Sequence, residues 1–397
     1  MSWTMVDGET VETRSIPAVT RGMRDGVEVH KAALAAGLST RLLPRQVLQV
    51  FGPGGVQTAF THGIPQGSSL AGVTFTQDLR MRRGLLGKAG VAQPRGATFS
   101  VGRSRRAAAQ FAARVGYPVV VKPALGDSTI DVTRGVQDRS GLRSAIDALL
   151  TPPEDRPDST QAAYGITELR APGNQDGRVT VPPGYRFLVE EEVPGDYLRV
   201  LVLDGEVLDV VPSPGGPWSG RAEGSLPAKD HPTGLAETVR AVVEALPGLA
   251  VLSVDVVVPE DGESELVVVD VSERPWLELQ HRISEGSARQ LAHALLESGM
   301  AEAGLTAQDL STTQSLKGTY GLTFQGIIDP AEFCTDLASW GVDAGIDLEL
   351  EVTDAARGHV GGQMSADLAV TVEFVESLLT TGVSGQTAMK ADVEPRT

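Results

Sequence analysis

The stretch GYPVVVKPALGDSTIDV, from Gly116 to Val132, sets the fold class of this chain. Residues 118–121 are apolar, and a short apolar run bounded by turn-forming residues predicts a buried strand. Lys122 ends the run, and burial of a lone ammonium group is costly unless an anion meets it. A cation at a strand end, beside a turn with free backbone N–H groups, could bind phosphate. The alternative is a surface hairpin whose lysine extends into water.

Helices and strands are predicted to alternate on both sides of this stretch. Helical periodicity covers residues 77–89, 105–115 and 140–150, and short strands are predicted at 97–101 and 132–136. Two further strands, 250–258 and 266–271, follow a helix that begins near Leu235. This alternation indicates an α/β architecture.

The composition excludes several classes of function. The chain has 397 residues, enough for about two or three domains. Its net charge of -17 argues against nucleic-acid binding, which needs an electropositive surface, and against binding to an anionic membrane. Cys334 is the one cysteine, so neither an intrachain disulfide nor a cysteine-based zinc site can form. No apolar run approaches the ~20 residues of a membrane span, and no secretory signal opens the sequence, so we expect a cytoplasmic protein.

Two carboxylates stand inside otherwise apolar strands. Asp255 lies in LSVDVVV and Asp270 in VVVDVS, and each needs a cation if it is buried. Adjacent antiparallel strands could direct both carboxylates to one point, where hard oxygen ligands suit Mg²⁺. Ser272 would share the face of Asp270 and could add an oxygen. The alternative makes both acids strand-end caps or salt-bridge partners of Arg274.

An acidic run, EEEVPGD at residues 190–196, follows another predicted strand. A run of acids is most often a solvated face. Here the run begins at the end of an apolar strand and contains Pro194-Gly195, which is more typical of a hinge.

The order of these motifs from Gln77 to Met300 resembles the ATP-grasp carboxylate–amine ligases. The similar types are the ATP-grasp part of cyanophycin synthetase, the glutathione-synthetase type and D-alanine–D-alanine ligase. The matching pieces are TQDLRMRRGLLGKAGVAQP, FAARVGYPVVVKP, FLVEEEVPGDYLRVLVLDGEV, LSVDVVV, VVVDVSERPWLELQH and GSARQLAHALL. The resemblance implies an α/β fold with α+β lobes that grip ATP.

The resemblance also implies a domain plan. We expect a short N-terminal α/β domain at 1–75, a central lobe at 76–186 with a proline-rich insertion at 151–184, and a C-terminal lobe with the metal-binding strands at 187–312. Beyond them, the β-α-β-β-α order of 316–382 suits a ferredoxin-like or acylphosphatase-like module for recognition or homodimerisation. We expect residues 383–397 to be a disordered tail.

ATP and two Mg²⁺ ions are the cofactors that the resemblance implies. The nucleotide phosphates would contact Arg83, Lys122 and Ser128. The adenine and ribose would meet the acidic run, at Glu190, Glu191, Glu192, Val193 and Asp196. The ions would be held by Asp255, Asp270 and Ser272. Three arginines would act on the reacting carboxylate or oxyanion: Arg199, Arg274 and Arg221.

The activity implied is ATP-dependent amide or peptide bond formation between a small-molecule carboxylate, an amino acid or a peptide, and an amine. The carboxylate would become an acylphosphate, and ADP and phosphate would be released. A catalytically degenerate protein that serves as a nucleotide-binding partner or scaffold is the alternative. It is favoured by Thr129, Ile130 and Asp131, which stand where the family usually has glycines, and by the shorter side chains at the metal positions.

Overall fold

A computed structural model describes most of the chain. The described residues are 2–6, 9–13, 23–126, 132–151, 173–175, 178–180, 185–214, 216, 224–260, 264–305 and 317–396. Contacts divide the chain into two compact units. Unit 1 consists of residues 1–66 and 285–397, and unit 2 consists of residues 67–284.

The described residues form twenty β-strands and ten α-helices. The strands are β1 (Ser2–Val6), β2 (Glu9–Thr13), β3 (Ser39–Leu43), β4 (Val47–Phe51), β5 (Gln57–Thr61), β6 (Ile64–Pro65), β7 (Gly96–Ser100), β8 (Val119–Pro123), β9 (Thr133–Val136), β10 (Gly173–Gln175), β11 (Arg178–Thr180), β12 (Arg186–Glu191), β13 (Gly195–Leu203), β14 (Glu206–Pro212), β15 (Val251–Pro259), β16 (Val267–Ser272), β17 (Lys317–Gln325), β18 (Asp347–Asp354), β19 (His359–Asp367) and β20 (Lys390–Arg396). The helices are α1 (Arg24–Ala35), α2 (Leu70–Gln77), α3 (Leu79–Lys88), α4 (Arg105–Val115), α5 (Arg139–Ala148), α6 (Leu235–Ala245), α7 (Glu278–Ile283), α8 (Glu285–Glu302), α9 (Pro330–Ala344) and α10 (Leu368–Thr380).

Unit 1 is built on an eight-stranded sheet in the order β18-β19-β17-β20-β3-β4-β5-β6. Helix α1 packs against α8 and α10, while α9 contacts strands β18 and β19 and α10 contacts β19. Aromatic side chains fill this core, as in the stacked pair Trp340 and Phe374, whose ring centroids are 4.8 Å apart. The β-α-β-β-α order expected after residue 316 is present as β17, α9, β18, β19 and α10.

The C-terminal residues correct the expectation of a disordered tail. Strand β20 lies between β17 and β3, so it joins the N-terminal strands to the C-terminal ones in a single sheet. Residues 1–66 are therefore not a separate N-terminal domain, and the predicted boundary at 75 is placed at 66. The physical reason is the alternation of buried Ala391 and Val393 with polar neighbours, which presents one apolar face to the core.

We expect Val393→Asp to unfold the sheet of unit 1. Val393 is fully buried and pairs with Leu322 on one side and Thr40 on the other, so the variant would bury an unpaired carboxylate in a central strand. Glu394→Ala, a change at the exposed neighbouring position, is the matched control and should leave stability within about 0.5 kcal/mol. Urea unfolding followed by circular dichroism measures both. Equal stability of the two variants would mean that this strand does not form.

A buried acid of α10 makes the stability of unit 1 depend on pH. Burial raises the pKa of Glu376 from 4.5 to about 7, and a hydrogen bond from the side chain of Gln46 offsets part of that rise. Between these two pH values the unfolded chain ionises this group while the folded chain keeps it neutral, so stability falls as the pH rises. The shift corresponds to roughly 3 kcal/mol.

Glu376→Gln should remove this pH dependence. We expect the unfolding free energy of the variant, relative to that of the unsubstituted protein, to increase by roughly 3 kcal/mol from pH 4.5 to 7 and then to stay level. Urea titrations at a series of pH values provide the measurement. A difference that does not change with pH would show that Glu376 ionises normally in the folded protein.

Unit 2 contains two four-stranded sheets whose neighbouring strands are all antiparallel. The first has the order β7-β12-β8-β9, and the second has the order β14-β13-β15-β16. The first sheet shares a core with α4 and α5, and the second shares a core with α3 and α6. The predicted α/β fold class, with α+β lobes, is confirmed.

Most predicted elements of unit 2 occur where the sequence places them. The strand before Lys122 is β8, and the returning strand is β9. The predicted helix 77–89 is divided, because the side chain of Asp78 accepts a hydrogen bond from the backbone N–H of Arg80 and caps a new helix, α3. Most of the insertion predicted at 151–184 lies outside the described residues, which include β10 and β11. Across the described part of the chain, every helix is too short or too polar to cross a membrane.

Candidate functional site

Lys122 lies at the end of β8, in the middle of the first sheet of unit 2. Its side chain is fully buried, which excludes the surface hairpin. The ammonium Nζ is 2.8 Å from Oε1 of Glu190 on the neighbouring strand β12, and it donates to the carbonyl oxygen of Val269 at 3.2 Å. This carbonyl belongs to β16, so the lysine links the first sheet to the second.

Glu190 binds a second cation through its other oxygen. Nη1 of Arg83, on α3, donates to Oε2 at 2.9 Å. Burial lowers the pKa of Arg83, and the charge of Glu190 opposes that shift. Two of the three residues predicted to bind phosphate therefore converge on one carboxylate. Both oxygens of Glu190 are thus engaged by cations of the chain. Its contact with adenine stays a prediction.

Asp255 and Asp270 face each other across strands β15 and β16, as the sequence predicts. Both are buried. Arg199, on β13, donates from Nε and Nη2 to the two oxygens of Asp255, at 2.8 and 2.7 Å. Burial raises the pKa of Asp255, and the bidentate arginine opposes this rise. The partner of Asp255 is therefore Arg199 and not Arg274.

Asp270 is paired with an arginine that the sequence analysis missed. Nη1 of Arg82, the residue before Arg83 on α3, is 2.7 Å from Oδ1 of Asp270. The same oxygen accepts the backbone N–H of Val271 at 2.8 Å, and Arg82 also donates to the Val271 carbonyl. A signal for Arg82 is present in the sequence, because residues 79, 82 and 86 share one face of a helix and both flanking positions are leucines.

The hydroxyl of Ser272 is hydrogen-bonded by residues that follow it closely in the chain. Its hydroxyl oxygen accepts the backbone N–H of Arg274 at 3.2 Å and the indole N–H of Trp276 at 3.1 Å. The Arg274 guanidinium lies over the ring of Trp276, 4.3 Å from its centroid, and that of Arg199 lies 5.6 Å from the same centroid. Two of the three predicted catalytic arginines are thus brought together on one aromatic side chain, whose role the sequence analysis did not identify.

Glu273 is a further buried acid that the sequence analysis passed over. It accepts hydrogen bonds from the hydroxyl of Thr76 at 2.7 Å and from the side-chain amide of Gln77 at 2.8 Å. Both donors are neutral, and both belong to α2. The position of Glu273 directly after β16, close to Asp270 in the chain, was the available signal.

The acidic run predicted to be a hinge is held by ion pairs. Glu191 pairs with Arg95, and Glu192 accepts from Arg134 at 2.8 Å and from the backbone N–H of Gly135 at 2.7 Å. The Arg134 guanidinium also lies 4.6 Å from the ring centroid of Tyr197, and burial raises the pKa of Tyr197 to about 12.

Val193 and Asp196, the other members predicted to contact the nucleotide, lie in or beside the same segment. Asp196 is exposed, and Val193 packs against the small apolar cluster around Tyr197. Ser128 and Arg221, predicted to contact phosphate and the reacting carboxylate, lie outside the described residues.

The three predicted metal-binding residues do not fit a resident Mg²⁺ ion. Both oxygens of Asp255 hold the Arg199 guanidinium, and both acceptor positions of the Ser272 hydroxyl are used. Asp270 holds Arg82. Mg²⁺ needs near-octahedral oxygen coordination, and it would reach the oxygens of Asp255 and Ser272 only by displacing these contacts. No group of three or more metal-binding side chains occurs within the described ranges.

Comparison with known proteins gives similarity at the level of structure. No family model matches the chain, and no curated protein matches its sequence. The ATP-grasp ligase PsnB, solved with its precursor peptide PsnA2 and AMPPNP, is 16% identical with a TM-score of 0.36, over 57% of this chain and 59% of that one. A RimK domain ATP-grasp protein from Sphaerobacter thermophilus is 18% identical with a TM-score of 0.38, over 57% of this chain and 69% of that one.

D-alanine–D-alanine ligase from Bacillus anthracis is also similar. It is 17% identical with a TM-score of 0.40, over 59% of this chain and 71% of that one. The matched part spans less than two thirds of the length of PsnB. The chain is thus similar in structure, over somewhat more than half of its length, to solved ATP-grasp ligases, the family that its sequence motifs resemble.

Proposed function

We propose that unit 2 binds ATP and that the protein uses it to join a carboxylate to an amine, as an ATP-grasp ligase. The observation that carries this proposal is the convergence of buried Lys122 and Arg83 on the single carboxylate of Glu190. Two cations held on one buried carboxylate form a preorganised binding place for phosphate oxygens. The sequence motifs around them support the same assignment.

The proposed reaction has two steps. An oxygen of the substrate carboxylate attacks the γ-phosphorus of ATP, the bond from this phosphorus to the β,γ-bridging oxygen breaks, and ADP leaves with that electron pair. The amine nitrogen then attacks the acyl carbon of the acylphosphate, the bond from that carbon to the phosphate oxygen breaks, and phosphate leaves while the nitrogen loses a proton to solvent. Phosphoryl transfer of this kind depends on positioning and charge stabilisation rather than on covalent catalysis by the protein.

The side chains of unit 2 supply positive charge at fixed positions. Lys122 and Arg83 would contact the nucleotide phosphates. Arg274, whose guanidinium lies over the ring of Trp276, would orient the reacting carboxylate. Arg199 would act on the same group from its buried pair with Asp255. The substrates proposed are an amino acid or peptide and an amine, and the β-α-β-β-α segment of unit 1 is proposed for recognition or dimerisation.

The test is an ADP-release screen of the purified protein over amino acids and dipeptides, with mass spectrometry of the products. ADP release that depends on both a carboxylate and an amine, together with a condensed product, is the expected result. ADP release without any condensed product would instead identify a phosphatase-like ATPase.

A protein that binds nucleotide without turnover is the second candidate. It is favoured by the pairing of Asp255 and Asp270 with arginines, since these are the residues expected to hold Mg²⁺ in an active ligase. Thermal stabilisation by ADP, in the absence of ADP release with any substrate pair, would select this candidate.

A further inference from the structure

Four buried carboxylates of unit 2 lie in one cluster with lysine and arginine side chains. The cluster links both sheets and α3, and its charged members share ion pairs, hydrogen bonds or an aromatic partner. Its positive members are Arg82, Arg83, Lys122, Arg199 and Arg274; its negative members are Glu190, Asp255, Asp270 and Glu273. Within it, Lys122 and Arg83 share the carboxylate of Glu190, Arg82 pairs with Asp270, and Arg199 pairs with Asp255.

Such a cluster favours an anion and disfavours a bare divalent cation. Mg²⁺ would enter next to Arg199 and Arg82, each within 2.8 Å of the carboxylate that the ion would need. Like charges at that separation repel strongly where water is excluded. A nucleoside diphosphate is negatively charged and would be attracted by the same arginines.

The arginines paired with these carboxylates are also costly to displace. Arg199 binds Asp255 in the two-pronged geometry that suits a planar guanidinium, and both partners are almost fully buried. Removing one member would leave the other as an uncompensated buried charge. An incoming ion would therefore have to displace a partner whose loss is costly.

We infer that Arg82 and Arg199 take the place of divalent metal at Asp270 and Asp255, so that nucleotide binds to unit 2 without a divalent cation. This inference rests on the proposed nucleotide site. In this role the two aspartates are counter-ions that hold arginines in position, and they are not metal ligands.

The experiment is a calorimetric titration of the full chain with ADP, once with excess Mg²⁺ and once with excess EDTA. The dissociation constants should agree within about threefold. A loss of affinity of about tenfold or more in EDTA would overturn the inference while leaving the nucleotide site intact. No binding of ADP in either buffer would refute the proposed nucleotide site and this inference with it.

Two further measurements separate a counter-ion from a ligand. Mn²⁺ added to the nucleotide-free protein should keep the electron paramagnetic resonance signal of the free ion, whereas stoichiometric binding would overturn the inference.

Asp270→Asn should hold or increase the affinity for ADP in EDTA, because the cluster gains net positive charge. The matched control is Asp147→Asn, at an exposed acid on α5. A tenfold weaker Asp270→Asn complex, in a variant that remains folded, would contradict the counter-ion role.

Discussion

Lys122→Ala is expected to abolish ADP release and to weaken ADP binding by at least about tenfold. The ammonium group is fully buried, 2.8 Å from Glu190, at the end of the strand that precedes the predicted phosphate loop. Its loss removes one of the two cations on that carboxylate, so phosphate oxygens would meet a less positive site. The measurements are an ADP-release assay and a calorimetric titration with ADP.

Lys88→Ala is the matched control for this prediction. Lys88 is the exposed last residue of α3 in the same unit, so the same substitution there should change neither quantity. Lys122→Met keeps the apolar stem and removes the charge, which separates loss of packing from loss of the cation. Full activity in a folded Lys122→Met protein would contradict the role of this lysine.

Asp255→Ala is expected to lower the free energy of unfolding by about 3–5 kcal/mol. The substitution leaves the guanidinium of Arg199 buried, with neither oxygen of its bidentate partner. Asp147→Ala removes a carboxylate from an ion pair with Arg105 that is 2.6 Å long but exposed, and should cost less than about 1 kcal/mol. Urea unfolding of unit 2 compares the two.

The double variant Arg199→Met, Asp255→Leu tests the cause of that loss. If the cost comes from the uncompensated charge, replacing both partners by apolar side chains should recover most of the stability. Activity is expected to be lost in the double variant, because Arg199 is proposed to act on the substrate. A double variant as unstable as Asp255→Ala would show that packing, and not charge, explains the effect.

The polar residues of the candidate site could be predicted because each one interrupts an apolar strand. Lys122, Asp255 and Asp270 stand out within a window of seven residues, and their mutual placement follows from strand pairing. Their counter-ions are far away in the chain, as Arg82 is from Asp270, and a single sequence carries no signal for such a pairing. The sequence could therefore predict a cation beside Asp270 but not whether it was a metal ion or an arginine.

The C-terminal strand shows a similar limit in the fold. The segment KADVEPR contains four charged residues and a proline, so its composition favours a tail. It is ordered by pairing with Thr40 and Leu322, which lie far from it in the chain. The alternation of apolar Ala391 and Val393 is too short to predict a strand against this composition. The strand forms because the neighbouring strands β17 and β3 supply hydrogen-bond partners for its backbone.

Helix α3 presents consecutive arginines to different sheets, Arg82 to Asp270 in the second and Arg83 to Glu190 in the first. Successive residues of an α-helix point about 100° apart, so this division depends on the exact count of residues from the helix start at Asp78. One inserted or deleted residue before Arg82 would rotate both side chains away from both partners. The segment from Asp78 to Arg83 should therefore be fixed in length among descendants of this sequence, even where its surface residues change freely.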